Sequence, residues 1–395
     1  MENIKDKSHP GYMQCATCIM DTTDPLISFD EKGVCNHCRK YNEYRDNSMP
    51  VGAKAEQKTA EMVAEIKHSG KGKEYDCIMG LSGGVDSSYL AYYATKVLGL
   101  RALVVHVDTG WNSELAVNNI ENIVKILGLD LHTLVVDWNE MRDLQRAFFK
   151  SSVPNCDVPQ DHAFIAALYS EARKYDLHHI LNGGNMSTES ILPANWGYDA
   201  ADLVHIKDIH RKFGERKLKS YPTISFFEKS ITYPNIYKLK VHRPLEFIPY
   251  NKEEVKQFLA KELGWRDYGG KHFESKFTQF FQAHYLPVKY GFDKRLAHLS
   301  SLIVSGQMTK KEALVEMERP LYDPVQLEED REFFIKKLGF SRTEWDEIMS
   351  LPPKTELDYK NESGKRRLFL LGLRGLTVPG RVAGLVRGIV KKIIG

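Results

Sequence analysis

Short apolar runs alternate with longer stretches of helical periodicity along the chain from residue 75 onward. The short runs predict buried strands at 75–81, 102–107, 131–136 and 178–184. The stretches between them, with apolar residues at helical spacing, predict helices at 87–97, 114–127, 139–150 and 160–175. Because strands separated by helices form βαβ units, we expect an α/β fold with a parallel sheet.

The segments on either side of this region differ from it in composition. Residues 1–45 hold two cysteine pairs, and residues 46–74 are charged and helix-prone, as expected of a connector. We expect residues 75–250 to form the α/β domain and residues 251–355 to form a helical region for substrate or partner. Residues 356–395 form a basic tail. The predicted organisation is one large domain with smaller additions at both ends.

Charge and hydropathy limit the classes of protein that this chain can belong to. Its 395 residues include 55 Lys and Arg and 52 Asp and Glu, a net charge of +3, which gives no electrostatic reason to expect nucleic acid. No apolar run reaches the ~18 residues that a membrane span needs. The N-terminus is polar and charged, unlike a signal peptide. We therefore expect a cytoplasmic enzyme.

The stretch "MGLSGGVDSSYL" at 79–90 joins the first predicted strand to the first predicted helix. A strand, a glycine turn and a helix N-terminus present free N–H groups, and these bind phosphate. A carboxylate at Asp86 would repel phosphate unless it held a Mg²⁺ that the phosphates share. The predicted nucleotide contacts are Ser82, Gly83, Gly84, Val85, Asp86, Ser87 and Ser88.

This turn lacks the lysine of a Walker A loop, and it is neither a dinucleotide GxGxxG nor a GxSxG nucleophile elbow. "SGGVDS" resembles the PP-loop of the ATP pyrophosphatases. That resemblance implies an enzyme that cleaves ATP between the α and β phosphates, adenylates its substrate and releases pyrophosphate. The alternative is an ordinary strand-to-helix turn with capping serines.

Further polar residues fall at the ends of other predicted strands. His106 and Asp108 end the second strand, and "LNGGNMSTES" ends the fourth. Ligands of open parallel sheets bind at these carboxyl ends. Gly183 allows close approach of another backbone, and the PP-loop resemblance makes Asn185 and Glu189 candidate nucleotide contacts. The other interpretation of this stretch is a helix N-cap.

Four of the six cysteines form two CxxC pairs with sixteen residues between them. Cys15, Cys18, Cys35 and Cys38 match the spacing of a tetrahedral zinc site. Four thiolates would fill the coordination shell of Zn²⁺, so we expect a structural site. A redox dithiol pair and an iron–sulfur cluster are the alternatives, and His37 is expected to be a bystander.

Basic residues and aromatics interleave after residue 265. Beside an ATP site these basic residues become candidates for binding pyrophosphate or an anionic substrate, and Lys271 and Lys289 are the predicted catalytic cations. The alternative is a solvated helical face.

The double CxxC, "SGGVDSS", "VPNCDVPQDHAF" and "GGKHFESKFTQFFQ…KYGFDKR" together resemble the N-acetyl sugar amidotransferases, over roughly residues 10–320. This is a PP-loop family of bacterial surface-polysaccharide (lipopolysaccharide, O-antigen) and nonulosonic-acid pathways. The resemblance implies that ATP adenylates the oxygen of a sugar N-acetyl group and that ammonia then displaces AMP, giving an acetamidino group. It also implies a nucleotide-activated or nonulosonic N-acetyl sugar as substrate. A separate glutaminase subunit and a cyclase-like ammonia-channel subunit are the implied partners, and the sequence shows no sign of its own glutaminase domain.

A tRNA-thiolating PP-loop enzyme is the rival interpretation. It would need a reactive cysteine, for which Cys156 in a predicted loop is the candidate, and the basic stretch 205–219 could hold RNA. A packed, inert thiol is the other interpretation of Cys156. A nucleotide-binding scaffold without turnover is disfavoured by Asp86.

The C-terminal segment 362–395 carries eight basic residues and one acid, a charge of +7. Beyond Pro379 its apolar residues follow one helix face, with basic residues opposite. Such a helix can lie in the interface of an anionic membrane, or it can pack on its own domain or on a partner subunit. The sequence leaves both open.

Overall fold

The computed structural model describes residues 9–270 and 273–364. Its strands are Cys77–Gly80 (β1), Ala102–Asp108 (β2), Leu131–Val135 (β3), His179–Leu181 (β4) and Lys240–His242 (β5). All pair in parallel in the order β3-β2-β1-β4-β5. The α/β class with a parallel sheet is therefore confirmed.

The α-helices of the described residues lie mostly between and after these strands. They are Asn36–Asn47 (α1), Ala53–Ser69 (α2), Val85–Tyr92 (α3), Glu114–Leu127 (α4), Trp138–Ser151 (α5), Val158–Lys174 (α6), Met186–Glu189 (α7), Leu203–Phe213 (α8), Lys252–Leu263 (α9), Lys276–Phe280 (α10), Leu286–Tyr290 (α11), Lys294–Val304 (α12), Lys310–Glu318 (α13), Pro324–Leu338 (α14) and Arg342–Ser350 (α15). Segments of π-helix occupy Tyr93–Val97, Glu228–Ile236 and Phe281–Tyr285, and 3₁₀ turns occupy Ala194–Trp196, Pro244–Phe247 and Glu356–Asp358.

Two differences from the predicted elements concern β4 and β5. The fourth strand covers three residues rather than 178–184, because its glycine-rich end turns away to form a loop. β5 was not predicted, since its three residues carry Lys240 at one end and its Val241 is 47% exposed. A short, exposed edge strand has no apolar pattern that a sequence can reveal.

The core of the sheet is built from alternate residues of its central strands. Cys77 and Met79 of β1 pack in one buried cluster, and Ile78 between them packs in another on the opposite face. Val104 and Val105 of β2 divide in the same way. Both faces of the sheet are therefore covered, as parallel sheets require.

Helix α12 connects the N-terminal cysteine module to the sheet. The Ile19 amide donates to Ser300 Oγ at 3.3 Å, and the Ile191 amide, in the loop after β4, donates to Ser301 Oγ at 3.0 Å. Lys310, at the start of α13, donates to the Cys15 carbonyl at 2.5 Å. The cysteine module therefore supports a helix that also holds the loop after β4.

Within the described ranges, no helix is long and apolar enough to cross a membrane. The amphipathic stretch predicted at the C-terminus lies almost entirely beyond residue 364 and so outside the described residues. The boundaries of the five segments proposed from composition stay predictions.

Candidate active site

The turn between β1 and α3 is shaped by a glycine that no other residue could replace without strain. Gly83 has φ +80°, and a Cβ placed on it would lie 2.7 Å from the Ala116 carbonyl oxygen in the first turn of α4. The Ser82 amide donates to Ser87 Oγ at 3.2 Å, and the two hydroxyls lie 3.1 Å apart. The strand, turn and helix N-terminus therefore form the compact loop that the sequence predicted.

Two aromatic side chains from the segment after α9 brace this loop. Trp265 Nε1 donates to the Gly83 carbonyl at 2.9 Å, and the Val85 amide donates to the Tyr268 hydroxyl at 3.2 Å. One carbonyl and one amide of the loop are thus bonded to a segment that lies more than 180 residues away in the chain. Sequence reasoning did not identify either aromatic as part of the site.

Asp86 is held by residues from two other loops. The Tyr250 hydroxyl donates a short hydrogen bond to Asp86 Oδ1, and Asn185 Nδ2 donates to the same oxygen at 3.4 Å. Burial, followed by the nearby Asp86 carboxylate, raises the pKa of Tyr250 far above its ordinary value. The tyrosine therefore stays protonated and acts as a permanent donor that fixes the orientation of the carboxylate.

The loop after β4 crosses the start of α3 at close range. A Cβ on Gly183 would lie 3.1 Å from the Asp86 carbonyl oxygen, so the predicted close approach is present. Asn185 also caps α7 by accepting from the Thr188 amide at 3.1 Å. The N-cap interpretation of Asn185 is therefore confirmed, and the same side chain is a partner of Asp86, while its role as a nucleotide contact stays a prediction.

A cleft of about 1530 Å³ opens over this edge of the sheet. One wall includes the glycine loop, and the other comes from α12 and the segments around it, with Lys294 and Arg295 at the start of that helix. Of the predicted nucleotide contacts, those that line the cleft are Ser82, Gly84, Val85, Asp86, Ser87, His106, Gly183 and Glu189.

His106 has both ring nitrogens engaged. The Leu81 carbonyl, 2.9 Å from Nδ1, can only accept, so Nδ1 carries the proton, and Nε2 accepts from Asn112 Nδ2 at 2.9 Å. This pattern fixes the neutral tautomer of the imidazole. The ring lines the cleft as a fixed wall and is not arranged as a general base.

Five of the predicted residues that the structure describes do not line the cleft, namely Gly83, Ser88, Asp108, Asn185 and Lys289. Asp108 turns back to accept from the Gly110 amide at 2.7 Å, and Ser88 is fully buried in α3. Lys289 is buried elsewhere, where its ammonium donates to the carbonyls of Ile348 and Leu351 at the end of α15. Lys289 is therefore not proposed as catalytic, and Lys271 lies outside the described residues.

A polar network on α6 completes the cleft, and sequence reasoning missed its role. Gln160 accepts from Thr109 Oγ1 at 2.7 Å and donates to Asp157 Oδ1 at 2.6 Å. Thr278 Oγ1 donates to Asp157 Oδ2 at 3.2 Å. The position of Asp161 between the cleft walls, and then the Asp157 charge, raise the pKa of its carboxyl above its ordinary value. The helical spacing of the polar residues in "VPNCDVPQDHAF" could have indicated that they share one face of a helix.

The four paired cysteines lie together, fully buried, at the other side of α12. Their sulfurs are all within 4.8 Å of one another, and Cys15 Sγ is 3.8 Å from Cys38 Sγ. Four sulfurs around a tetrahedral Zn²⁺ with bonds of about 2.3 Å would lie about 3.8 Å apart. The separation is too long for a disulfide.

Backbone amides surround these sulfurs. Cys15 Sγ accepts from the amides of Thr17, Cys18 and Cys35 at 3.3–3.5 Å, which favours thiolates. His37 instead pairs with Asp24 at 2.7 Å, so it is the bystander that we expected. The donor set therefore suits a structural metal ion.

The remaining two cysteines are packed in the interior. Cys156 is fully buried, its thiol donates to the Val153 carbonyl at 3.4 Å, and burial raises its pKa above its ordinary value. Cys77 is also fully buried, in β1. A thiol of this kind is inert, so neither residue offers the reactive sulfur that a thiolating enzyme needs.

Comparison with known families gives two separate matches. Residues 57–221 match the NAD synthase family, and residues 274–371 match the family described as LPS biosynthesis protein WbpG-like, C-terminal domain. The chain has a PP-loop fold similar to that of the NAD synthases and a C-terminal region similar to the WbpG-like family. The predicted PP-loop superfamily and the resemblance to sugar amidotransferases are thereby confirmed at the level of these two families.

Relatives of this PP-loop protein match it over different extents. An uncharacterised protein of Methanocaldococcus jannaschii is 22% identical over 314 residues, 78% of this chain and 94% of that protein. The glutamine-hydrolysing GMP synthase of Thermosipho africanus is 28% identical over 200 residues, 48% of this chain and 33% of that enzyme. The PP-loop protein thus spans about a third of the length of this GMP synthase.

Solved structures of two synthetases align with the PP-loop protein. The NH3-dependent NAD synthetase of Campylobacter jejuni aligns over 67% of this chain and 97% of its own, with 13% identity and a TM-score of 0.32. The NMN synthetase of Francisella tularensis aligns over 68% of this chain and 98% of its own, with 13% identity and a TM-score of 0.33.

Proposed function

We propose that this PP-loop protein is an ATP-dependent amidotransferase that converts the N-acetyl group of a sugar to an acetamidino group. The observation that carries the proposal is the pair of hydrogen bonds that hold the Asp86 carboxylate beside the glycine loop. This carboxylate lies in a cleft whose second wall comes from the WbpG-like region. The first feature suits ATP chemistry, and the second provides space for a separate acceptor. A cleft of about 1530 Å³ exceeds the roughly 300–1,000 Å³ that a single small ligand fills.

ATP is proposed to bind along the glycine loop. The hydroxyls of Ser82 and Ser87 lie at the loop surface, and the N-terminus of α3 supplies the positive end of a helix dipole for phosphates. Val105, Leu168 and Leu181 line the same cleft and give an apolar slot for the flat adenine ring. The phosphates and the base can therefore be held by separate parts of one wall.

Asp86 fits a divalent cation, because a carboxylate oxygen is a ligand that Mg²⁺ prefers. When bound, Mg²⁺ would neutralise charge on the pyrophosphate leaving group. Tyr250 and Asn185 hold the carboxylate in one orientation by donating to its Oδ1. Positioning of this kind accounts for much of what a protein contributes to phosphoryl transfer.

The chemistry consists of two displacements. In the first, the acetamide oxygen attacks the α-phosphorus of ATP, the bond to the bridging oxygen breaks, and pyrophosphate leaves with that electron pair. In the second, the nitrogen of ammonia attacks the imidate carbon, the carbon–oxygen bond breaks, and AMP leaves. An amide oxygen is a poor leaving group, and adenylation removes that obstacle.

The cysteine cluster is proposed to hold one structural Zn²⁺. Its four sulfurs are fully buried and fill a tetrahedral shell, which leaves no position for substrate. The metal would stabilise the module that supports α12, the helix from which Lys294 and Arg295 reach the cleft wall.

We further propose that a separate glutaminase subunit and a cyclase-like barrel subunit deliver the ammonia. Matching GMP synthases are described as glutamine-hydrolysing, and this chain spans about a third of one of them. Free ammonium should then support turnover without glutamine, and glutamine alone should not. Turnover of glutamine by the purified chain would contradict the separate-subunit proposal.

We also propose a cytoplasmic location with peripheral contact at the inner membrane face through the basic tail. The support is the charge of +7 over residues 362–395. Removing this tail should lower sedimentation with anionic vesicles at low salt while amidine formation is retained. If the full-length chain does not sediment, the tail has a different role.

The deciding experiment incubates the protein with ATP, ammonium and a panel of N-acetyl sugars. The panel holds nucleoside-diphosphate N-acetylhexosamines, their uronates and nonulosonic acids. We expect AMP release with one class of sugar, and a product about one mass unit lighter, since oxygen is replaced by NH. Asp86→Asn should abolish both while the circular dichroism spectrum is unchanged. AMP release by that variant at the wild-type rate would contradict the role of Asp86.

A further inference from the structure

One face of α6 lines the cleft over its first two turns. Asp157, which precedes the helix, and then Gln160, Asp161 and Phe164 follow at spacings of three, four and seven residues, and all four line the cleft. Residues at this spacing share one side of a helix. The first turn of this face is polar, and the Phe164 ring that follows is 40% exposed.

The polar part of the face is held rigid by both matched domains. Asp157 accepts from Gln160 with one oxygen and from Thr278 with the other. Asp157 and Gln160 belong to the NAD synthase-like match, whereas Thr278 belongs to the WbpG-like match. The network therefore fixes the face at the place where the two domains meet.

Asp161 stands beside this network and is exposed to the cleft. The charged and titratable groups that influence it or respond to it are Asp157 just before its own helix, Lys294 of α12 and Tyr221. The surrounding cleft walls, and then the Asp157 charge, raise the pKa of Asp161 above its ordinary value, against the opposing effect of Lys294. A carboxyl group accepts hydrogen bonds from hydroxyl donors in either protonation state.

We propose that Asp161 and the Asp157–Gln160–Thr278 network form the subsite for the sugar ring of the acceptor. This inference rests on the proposed function and adds the location of the acceptor. The hydroxyl groups of the ring would bind the carboxyl of Asp161 and the network beside it. The exposed Phe164 ring lies next along the helix face, where it can pack on the apolar side of a sugar.

Charge decides which chemical groups suit this position, because Asp157 repels the phosphates or carboxylates of either substrate but not a neutral sugar ring. The carboxylate of Asp157 would repel the phosphates of ATP, whereas hydroxyl groups are suitable donors to it. The phosphates therefore belong at the Ser82–Ser87 loop, and the sugar belongs at α6. A site built to hydrogen-bond substrate hydroxyls also discriminates strongly against analogues that lack them.

The test compares variants of Asp161 using the sugar that supports AMP release in the wild-type protein. Asp161→Ala should raise the KM for that sugar at least tenfold, with the KM for ATP within twofold of wild type. Asp161→Asn keeps an acceptor, so it should restore the sugar KM to within about threefold at pH 7. Thr278→Val, from the other domain, should raise the sugar KM as well.

The matched control is Glu171→Gln on the same helix, where Glu171 pairs with His132 and Lys174 away from the cleft. It should change neither KM.

Two results would overturn the inference in different ways. If Asp161→Ala keeps the wild-type sugar KM, the acceptor binds elsewhere while the proposed function stands. If the wild-type protein releases AMP with no sugar of the panel, the proposed function fails and the subsite fails with it. Equal increases in both KM values would assign Asp161 a purely structural role and would also overturn the proposal.

Discussion

Replacing Gly83 with alanine tests whether the shape of the glycine loop, Ser82–Ser87, depends on this one glycine. At φ +80° an alanine is strained by about 1–2 kcal/mol, the usual cost of the left-handed region for a residue with a Cβ. The new Cβ would also lie 2.7 Å from the Ala116 carbonyl oxygen, and that oxygen is fixed in the first turn of α4. The loop must therefore move by several tenths of an ångström.

The contact adds its own cost to the backbone strain. Forcing an extra methyl group into a packed position typically costs about 1–3 kcal/mol. The total loss in free energy of unfolding should therefore be about 2–5 kcal/mol. A displacement of about 1 Å can reduce turnover about 100-fold, so a smaller shift should lower the rate of AMP formation by about three- to tenfold.

Gly72 provides a matched control for the strain alone. Its φ is +78°, and a Cβ there would have no atom within 4 Å. Gly72→Ala should therefore cost about 1–2 kcal/mol and leave AMP formation unchanged. Urea unfolding followed by circular dichroism gives the two stabilities, and a coupled assay for AMP gives the two rates. Equal stabilities and equal rates for the two variants would refute the packing argument at Gly83.

Three further substitutions separate the roles assigned to other residues. Tyr250→Phe removes a hydrogen bond to the charged Asp86 carboxylate, worth about 1.5–3 kcal/mol. The Mg²⁺ concentration for half-maximal AMP release should therefore rise roughly tenfold or more. An unchanged Mg²⁺ dependence would count against the proposal that Tyr250 positions Asp86. Cys35→Ser should reduce zinc from one ion per chain to none by elemental analysis and lower the melting temperature; iron, or no metal, in the wild type would overturn this site. Lys289→Met should lower the free energy of unfolding by about 1–3 kcal/mol, because two carbonyls lose a charged donor. The KM for ATP should be unchanged. A selective rise in that KM would show that Lys289 does take part in the active site.

Local features of the chain were readable because their signals lie within a few neighbouring residues. The glycine pair between a strand and a helix predicted the loop of Ser82–Ser87, and the loop has that geometry. The spacing of Cys15, Cys18, Cys35 and Cys38 predicted a four-sulfur cluster, and the four sulfurs lie together. The backbone conformation of the loop and the spacing of the sulfur ligands are each set by residues close together in the sequence.

Elsewhere the same kind of pattern was ambiguous. Lys289 lies in a basic and aromatic stretch that resembled a substrate-binding face, but its ammonium serves the end of α15. The carboxylate of Asp108 follows a strand at the correct edge of the sheet, yet it turns back onto the Gly110 amide. The contacts that a side chain makes depend on which element packs against it, and the periodicity of the sequence does not show which element that is.

The sequence by itself determined the α/β class, the phosphate loop and the cysteine cluster, because each is specified by adjacent residues and their conformational preferences. Only the tertiary structure decided that Tyr250 holds Asp86, that Trp265 and Tyr268 brace the loop, and that Thr278 completes the network on α6. These contacts join residues more than 100 positions apart in the chain. Folding brings them together through burial of apolar surface, which is non-directional and therefore leaves no local pattern to read.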